Sequence, residues 1–180
     1  LKAHASLRNE IMGTEQQLPI LSTMAKNIFS FRDLQISLAS ALNKHGEVVD
    51  HASQKLTTIR DELKGNQNLL SESLQRIIND PKNTNVIQDQ IISTRNDRLV
   101  IQVKSQMRDM IPGLVQDISN SGATLFVEPF ETVVLGNKRI ELITLERNEI
   151  QRVLSDLSRS VGEAANNIKC TVKVVTYLDF

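Results

Sequence analysis

Two long series of apolar residues at seven-residue spacing, on either side of a stretch of different character, constrain the fold of this chain most strongly. The first series consists of Leu56, Leu63, Leu70 and Ile77, with Ile59 and Leu74 between its members. The second consists of Ile143, Ile150, Leu157 and Ala164, with a companion series of Ile140, Leu154, Val161, Ile168 and Val175 that Arg147 interrupts. Residues at this spacing share one face of a helix. The pattern predicts two long helices that pair in an antiparallel arrangement.

The sequence indicates the end of the first helix more clearly than the end of the second. We expect the first helix to run from Ala52 to about Asn79, because Pro81 cannot donate a hydrogen bond into a helix. The second is expected from Asn137 to Phe180. Its final part, residues 169–178, also alternates like a strand. We favour helix there because Val172, Val175 and Leu178 keep a helical step. Arg147 either pairs with an acid across the helices or extends outward into solvent.

Between the two helices, the stretch from Val86 to Leu135 has the signals of a small antiparallel sheet. Four segments are strand candidates, namely RLVIQV, IPGLVQDIS, ATLFVEP and TVVL, and TRND is turn-like. The short connections favour antiparallel pairing. Gly113 and Gly122 each lie beside an expected turn. We therefore interpret them as structural turn residues, where glycine reaches a positive φ at little cost.

Composition favours a helical protein with a small β insertion. Aromatic residues make up only 3% of the 180 residues and there is no Trp, so a Leu, Ile and Val core on helices is expected. The resulting organisation is a helical core at 1–50, a first long helix at 51–81, a β head at 82–136 and a second long helix at 137–180. The single Cys170 suits a reducing compartment. No apolar run is long enough to span a membrane.

One block of this sequence resembles a known family. The stretch TRNDRLVIQVKSQMRDMIPGLVQDISNSGATLFVEP, followed by a long helix, is similar to the middle of the second bacterial MutS paralogue, the branch that suppresses recombination. HGEVVDHASQKLTTIR and the terminal YLDF resemble the flanking segments, so that the likeness extends from about Leu18 to Phe180. It implies a fragment with a helical core, a lever of two long helices and a β clamp at its tip.

The resemblance also implies properties of the complete proteins of that family. They form homodimers, use ATP and Mg²⁺, bind branched DNA, and in some members act on collided ribosomes; a nuclease module is also known. This chain has no Gly-x-x-x-x-Gly-Lys-Ser/Thr phosphate loop and no recognisable nuclease module. We therefore expect a non-catalytic fragment without a cofactor or metal of its own, from a cytoplasmic, nucleoid-associated bacterial protein that does not contact membranes.

Charge is balanced overall, with 21 basic and 21 acidic residues, but it is uneven within the β head. From Lys82 to Arg108 five bases stand against two acids, whereas the next stretch to Gly136 has four acids and no base. In a clamp, the basic residues would contact phosphates together with short polar groups. The predicted nucleic-acid-binding residues are Arg95, Arg98, Lys104, Arg108, Ser119, Asn120 and Ser121. If three or four phosphates are neutralised, log affinity should fall with log salt at a slope of about −3.

Other interpretations of the same residues stay open. The bases could be solvated charges on the outer face of a strand. The arm and head could instead form a scaffold that docks on a protein or a ribosome, with Phe126, Phe130 or the acids as contacts. The apolar series could also join two copies as a coiled coil. His45, Glu47, Asp50 and His51 match no recurrent metal-site spacing, and we interpret them as polar residues around a turn.

Overall fold

A computed structural model describes residues 2–13 and 19–178 of the chain. They contain five α-helices and four β-strands. The helices are α1 (Lys2–Met12), α2 (Pro19–Ala25), α3 (Arg32–Ala41), α4 (Gln54–Asn79) and α5 (Val133–Leu178). The strands are β1 (Ser93–Arg95), β2 (Arg98–Lys104), β3 (Gly113–Ile118) and β4 (Thr124–Pro129). The predicted class, mainly α with a small antiparallel β insertion, is confirmed.

The chain divides into two compact units. The first draws on Leu1–Gln54 and Glu149–Phe180, and the second is Lys55–Asn148. In the first unit, the backbone N–H of Phe29 donates to Thr171 Oγ1 at 3.0 Å, and Ser53 Oγ donates to the buried Glu149 at 2.8 Å. These contacts fix α5 to the segments before α3 and α4, and they satisfy two buried polar side chains on α5.

In the second unit, α4 and α5 pair in an antiparallel arrangement. Arg60 Nε lies 2.8 Å from Glu146 Oε1, and the Asn66 amide donates to the carbonyl oxygen of Leu135 at 3.2 Å. The partner numbers fall on α5 as they rise on α4, which is the pattern of antiparallel helices. The end of α4 before Pro81 and the helical state of residues 169–178 are also as predicted.

The sheet has the strand order β1-β2-β4-β3, and all its pairs are antiparallel. One face packs on α4, because every second residue of β2 and β4 is apolar and points to that side. The core cluster comprises Leu70, Leu74, Ile78, Val86, Ile87, Ile101, Val103, Ile111, Leu125 and Val127. Each buried aliphatic side chain of this kind contributes about 1.5–3 kcal/mol relative to exposure.

Three local predictions were wrong. TVVL is not a strand, because a 3-10 turn at Phe130–Thr132 leads directly into α5, which begins at Val133 rather than Asn137. Part of TRND forms the short strand β1, which pairs with β2. The third error concerns α5: the companion series of apolar residues does not form its buried face. Leu154 and Val161 are exposed, and the buried line includes Leu142, Glu149 and Val153.

Candidate nucleic-acid interface

A tight hairpin joins β1 to β2. Arg95 pairs with Arg98, which leaves a two-residue loop of Asn96 and Asp97 with φ of 50° and 61°. Positive φ at both loop positions is characteristic of a type I′ turn, whose twist matches that of the flanking strands. Asn and Asp tolerate this conformation better than most residues. The turn sets where the flanking arginines lie.

The tip of this hairpin is fastened to the rest of the second unit by polar contacts. The Asn96 amide donates to the carbonyl oxygen of Gln116 on β3 at 3.1 Å, although β3 is at the opposite edge of the sheet. Arg139 of α5 donates to the carbonyl oxygen of Asp97 at 2.5 Å. Because Arg95 also lies over Phe126, which alternates along β4 with the core residues Leu125 and Val127, the hairpin covers the face of the sheet opposite the core cluster.

Both predicted arginines in this hairpin already have carboxylate partners. Arg95 Nε lies 3.0 Å from Asp117 Oδ2, and its guanidinium carbon is 3.9 Å from the centre of the Phe126 ring. Arg98 Nη1 lies 2.9 Å from Oε1 of Glu128, which is only 1% exposed. The first pair is on the surface, with side chains 38% and 48% exposed. The second is largely buried.

Glu128 is held on several sides. Its second carboxylate oxygen accepts a hydrogen bond from the Gln116 amide at 2.8 Å. Gly136 of α5 packs so closely that an added Cβ would lie 2.3 Å from Glu128 Oε1 and 3.0 Å from Arg98 Nη1. A buried carboxylate is costly unless it is paired and hydrogen-bonded. Arg98 and Gln116 meet that requirement, so Arg98 has a structural role in this unit.

Lys104 lies at the other end of β2, about 20 Å from Arg98 at 3.3 Å per residue. Its ammonium group donates to the carbonyl oxygen of Asn85 at 2.9 Å, and its backbone N–H donates to Val86. The next residue, Ser105, donates through its N–H to Ala123 and through its hydroxyl to the carbonyl oxygen of Gly122. Lys104 and Ser105 therefore join Asn85 and Val86 to the β3–β4 turn at Gly122 and Ala123, and we call the stretches 82–86, 104–106 and 119–124 the polar tip.

Three further predicted residues form the β3–β4 turn of the polar tip. The Ser119 hydroxyl accepts from the Thr124 N–H at 3.0 Å, which closes the turn. Asn120 and Ser121 are exposed at its apex. Gly122 has a φ of +74°, the conformation expected for it. The polar tip contains two lysines and no carboxylate.

Gly113 does not have the predicted role. It begins β3 and its φ is not positive. A Cβ at this position would lie 2.5 Å from the Glu128 carbonyl oxygen and 2.7 Å from Val127 Cγ1. Glycine is thus required by the close approach of β4 and not by a turn.

The structure thus divides the predicted binding residues into separate groups. Lys104 lies with Ser119, Asn120 and Ser121 in the polar tip, whereas Arg95 and Arg98 lie in the β1–β2 hairpin. Arg108 is exposed on the 3-10 segment Ser105–Met110.

Sequence analysis did not select residues 82–86 of the polar tip as binding residues. Their contact with Lys104 depends on the isolated bridge between Ile87 and Val103. A single such bridge has no recognisable local pattern in the sequence.

Other site chemistry is sparse in the part of the chain that the structure describes. There, His, Cys, Asp and Glu side chains do not come together in groups of three or more that could hold a metal ion. His45 and Glu47 are exposed, and their backbone N–H groups both donate hydrogen bonds to Asn43 Oδ1, which shapes the turn. Across the same residues, no helix is both long and apolar enough to cross a membrane.

Comparison with known proteins gives a consistent set of relatives. The chain is 37% identical over 166 residues to a protein of Geobacillus sp. (strain WCH70) named Endonuclease MutS2. It is 35% identical over 180 residues to the protein of that name in Pelotomaculum thermopropionicum, and 33% identical over 183 residues to that in Clostridioides difficile (strain 630).

These alignments cover 92%, 100% and 100% of this chain respectively. They cover 21%, 23% and 23% of the relatives, so the chain spans about a fifth of their length. No family model matches the chain.

Proposed function

Because this chain corresponds to a segment of the MutS2 proteins, we propose that it is a DNA-engaging, non-catalytic part of such a protein. In this proposal the sheet and its hairpins act as a clamp on the phosphate backbone, and α4 with α5 acts as a lever. Contacts of this kind position a duplex without reading its bases.

The observation that carries this proposal is the composition of the polar tip. Lys82 and Lys104 are its charged residues, and Thr84, Asn85, Asn120 and Ser121 offer short polar groups beside them. Phosphate oxygens accept hydrogen bonds from Lys, Ser, Thr and Asn side chains. These stretches contain no carboxylate, and the adjacent carboxylate of Asp80 accepts a hydrogen bond from the backbone N–H of Lys82.

Arg108, Arg95 and Arg98 have different roles in the same proposal. Arg108 is exposed and has no ion-pair partner among the described residues, so it can add a third contact. Arg95 and Arg98 would contact phosphate only by sharing guanidinium donors with Asp117 and Glu128. A planar guanidinium has five N–H donors, which makes such sharing feasible for the partly exposed Arg95.

The larger assembly rests on the resemblance to the MutS2 family and belongs to the proposal. We assign ATP hydrolysis with Mg²⁺, and the nuclease activity named for these relatives, to parts of a MutS2-type protein other than these residues. A homodimer would bring two clamps to one branched DNA, which raises the effective concentration of the second. The lever would carry changes at the ATPase to the clamp and so support suppression of recombination.

The test is salt-dependent binding of the chain to a labelled four-way junction and a matched duplex. We expect a log–log slope of about −2 to −3, from two or three neutralised phosphates. Lys82→Ala with Lys104→Ala should weaken binding to both DNAs and reduce the magnitude of the slope by about 2.

Lys64→Ala is the matched control, because Lys64 is an exposed lysine of the same unit on α4, outside the polar tip. It should leave affinity and slope nearly unchanged. An unchanged affinity and slope in the Lys82/Lys104 variant would remove the polar tip from the interface. Arg98→Ala is unsuitable for this test, because it leaves the buried Glu128 unpaired and alters stability as well as charge.

A further inference from the structure

A groove in the second unit adjoins the polar tip, with which it shares Asn83, and more acids than bases line it. Its larger cavity, about 470 Å³, lies between the last turns of α4 and the segments around Pro112 and Phe130. A smaller cavity of about 250 Å³ continues it towards Gly113 and Val115, and the two share Ile111, Pro112 and Phe130. The larger cavity is within the size range of ligand pockets.

The walls of the groove expose large apolar side chains on a rigid frame. Met110 is 61% exposed and Phe130 is 57% exposed, although each lies next to residues of the core. The Phe130 N–H donates to the carbonyl oxygen of Pro112 at 3.1 Å, which ties the two walls together. Exposed aromatic and Met side chains in one pocket are enriched at protein interfaces.

Charge at the groove favours a cationic occupant. Asp80 and Glu131 lie on the rim of the larger cavity with Arg76, and Glu72 lies beside Arg76 along α4. The C-terminal end of α4 adds the negative end of its helix dipole. On the strand side, Asp109 and Arg108 both line the smaller cavity, whereas Asp117 and Glu128 are already paired with Arg95 and Arg98. Along the two cavities three acids, Asp80, Asp109 and Glu131, outnumber the two bases Arg76 and Arg108, so a Lys or Arg side chain is favoured over a phosphate.

The strand beside the groove can accept an extended chain. β3 begins at Gly113, directly after Pro112, and it is an edge strand of the sheet. One side of its backbone has no strand partner among the described residues. Its side chains Leu114 and Ile118 are also exposed. An edge strand with apolar side chains binds extended peptides by adding them to the sheet.

We propose that this groove binds an extended segment of a protein partner in which basic residues alternate with apolar ones. The apolar residues occupy the two cavities over Met110 and Phe130, and the basic residues face Asp80 and Glu131. Phe130 is the anchor, since its ring offers both apolar area and a face for a cation. The surface is thus a protein-binding site that overlaps the proposed DNA contact only at Asn83 and Arg108.

The test uses the full chain with 13C-labelled Met and Ile methyl groups and two end-blocked hexapeptides, GRVRLG and GEVELG. We expect GRVRLG to shift the methyl resonances of Met110, Ile111 and Ile77, and GEVELG to leave them in place. Phe130→Ala should weaken GRVRLG binding by about tenfold or more. Tyr177→Ala, which removes another exposed aromatic ring outside the second unit, should leave binding unchanged.

Charge is tested separately by Asp80→Asn with Glu131→Gln, which should weaken GRVRLG several-fold. An unshifted Ile101 methyl resonance in each variant shows that the core is intact, because Ile101 is fully buried. Equal shifts by both peptides, or no effect of Phe130→Ala, would overturn the proposal. Shifts of the same resonances on raising protein concentration alone, or on adding a 12-base-pair duplex, would assign the groove to a second copy or to DNA and overturn it too.

Discussion

Gly136 lies where the first turns of α5 meet the buried pair of Arg98 and Glu128. In most helices, Gly→Ala stabilises by about 0.5–1 kcal/mol, because Gly loses more backbone freedom on folding. At Gly136 the new methyl group would strike a carboxylate oxygen that Arg98 and Gln116 hold in place. We expect Gly136→Ala to lower the free energy of unfolding by about 1–3 kcal/mol, as overpacking does. Urea unfolding measures this.

Gly65 is the matched control for that substitution. It also lies within a helix of the second unit, and no atom beyond the neighbouring residues and backbone of that helix lies within 4 Å of its added Cβ. Gly65→Ala should therefore raise the free energy of unfolding by about 0.5–1 kcal/mol. If both substitutions stabilised equally, the Glu128 side chain would have room to move, and the tight packing of α5 against the ion pair would be refuted.

At the scale of elements, the β1–β2 hairpin depends on two loop residues with positive φ. Asp97 has a φ of 61°, and its contact with Arg139 uses only its carbonyl oxygen. Asp97→Gly should stabilise by about 0.5–1 kcal/mol, because Gly adopts this conformation without steric cost. Asp97→Ala should destabilise by a similar amount. Thermal unfolding of the two variants should shift in opposite directions, and a shift in the same direction would contradict this account of the turn.

The same hairpin shows which elements could be predicted from the sequence. β2 and β4 follow alternation and β-branched composition, and α4 ends before Pro81, so local signals were enough. β1 has three residues, too few for a period to be recognised. TVVL has strand composition, but Pro129 and the 3-10 turn at Phe130–Thr132 direct it into α5. There the tertiary context overrides intrinsic preference.

The prediction of which α5 residues are buried was wrong for another reason. Hydrophobicity selects Leu154 and Val161, whereas the structure buries Glu149 and Thr171, whose polar atoms bond to Ser53 and to the N–H of Phe29. Those partners are distant in sequence, so no local pattern indicates them. The candidate binding residues show the same limit. Their charges are evident in the sequence, but the partners of Arg95 and Arg98 follow from strand order.

At the scale of the whole chain, a formal net charge of zero conceals segregated surfaces in the second unit. The polar tip has lysines without carboxylates, and the groove around Phe130 has carboxylates on its rim. Opposite local fields select opposite partners even when the total charge is zero. DNA should therefore depend mainly on Lys82 and Lys104, and a basic peptide mainly on Phe130, Asp80 and Glu131.

Among the residues that the structure describes, the two units differ in their buried apolar side chains. Most of the fully buried aliphatic ones lie in the second unit, whereas the core of the first includes the small residues Ala25 and Ala41. Since burial is the main favourable term in folding, the second unit should be the more stable. Hydrogen exchange in low urea should show the slowest amides at residues 101–103 and 125–127, and faster exchange in α3.

Arg98→Met tests whether that stability depends on the buried ion pair. Removing one partner of a buried pair costs about 3–5 kcal/mol, because the remaining charge is unpaired. Exchange at residues 101–103 and 125–127 should accelerate, with α3 less affected. Arg95→Met is the control: its pair with Asp117 is on the surface and contributes about 1 kcal/mol or less. If the two variants accelerated exchange equally, the Arg98–Glu128 pair would be no more important to this unit than a surface contact. Equal acceleration in both units by Arg98→Met alone would instead show that they unfold together, as the continuity of α5 through both of them allows.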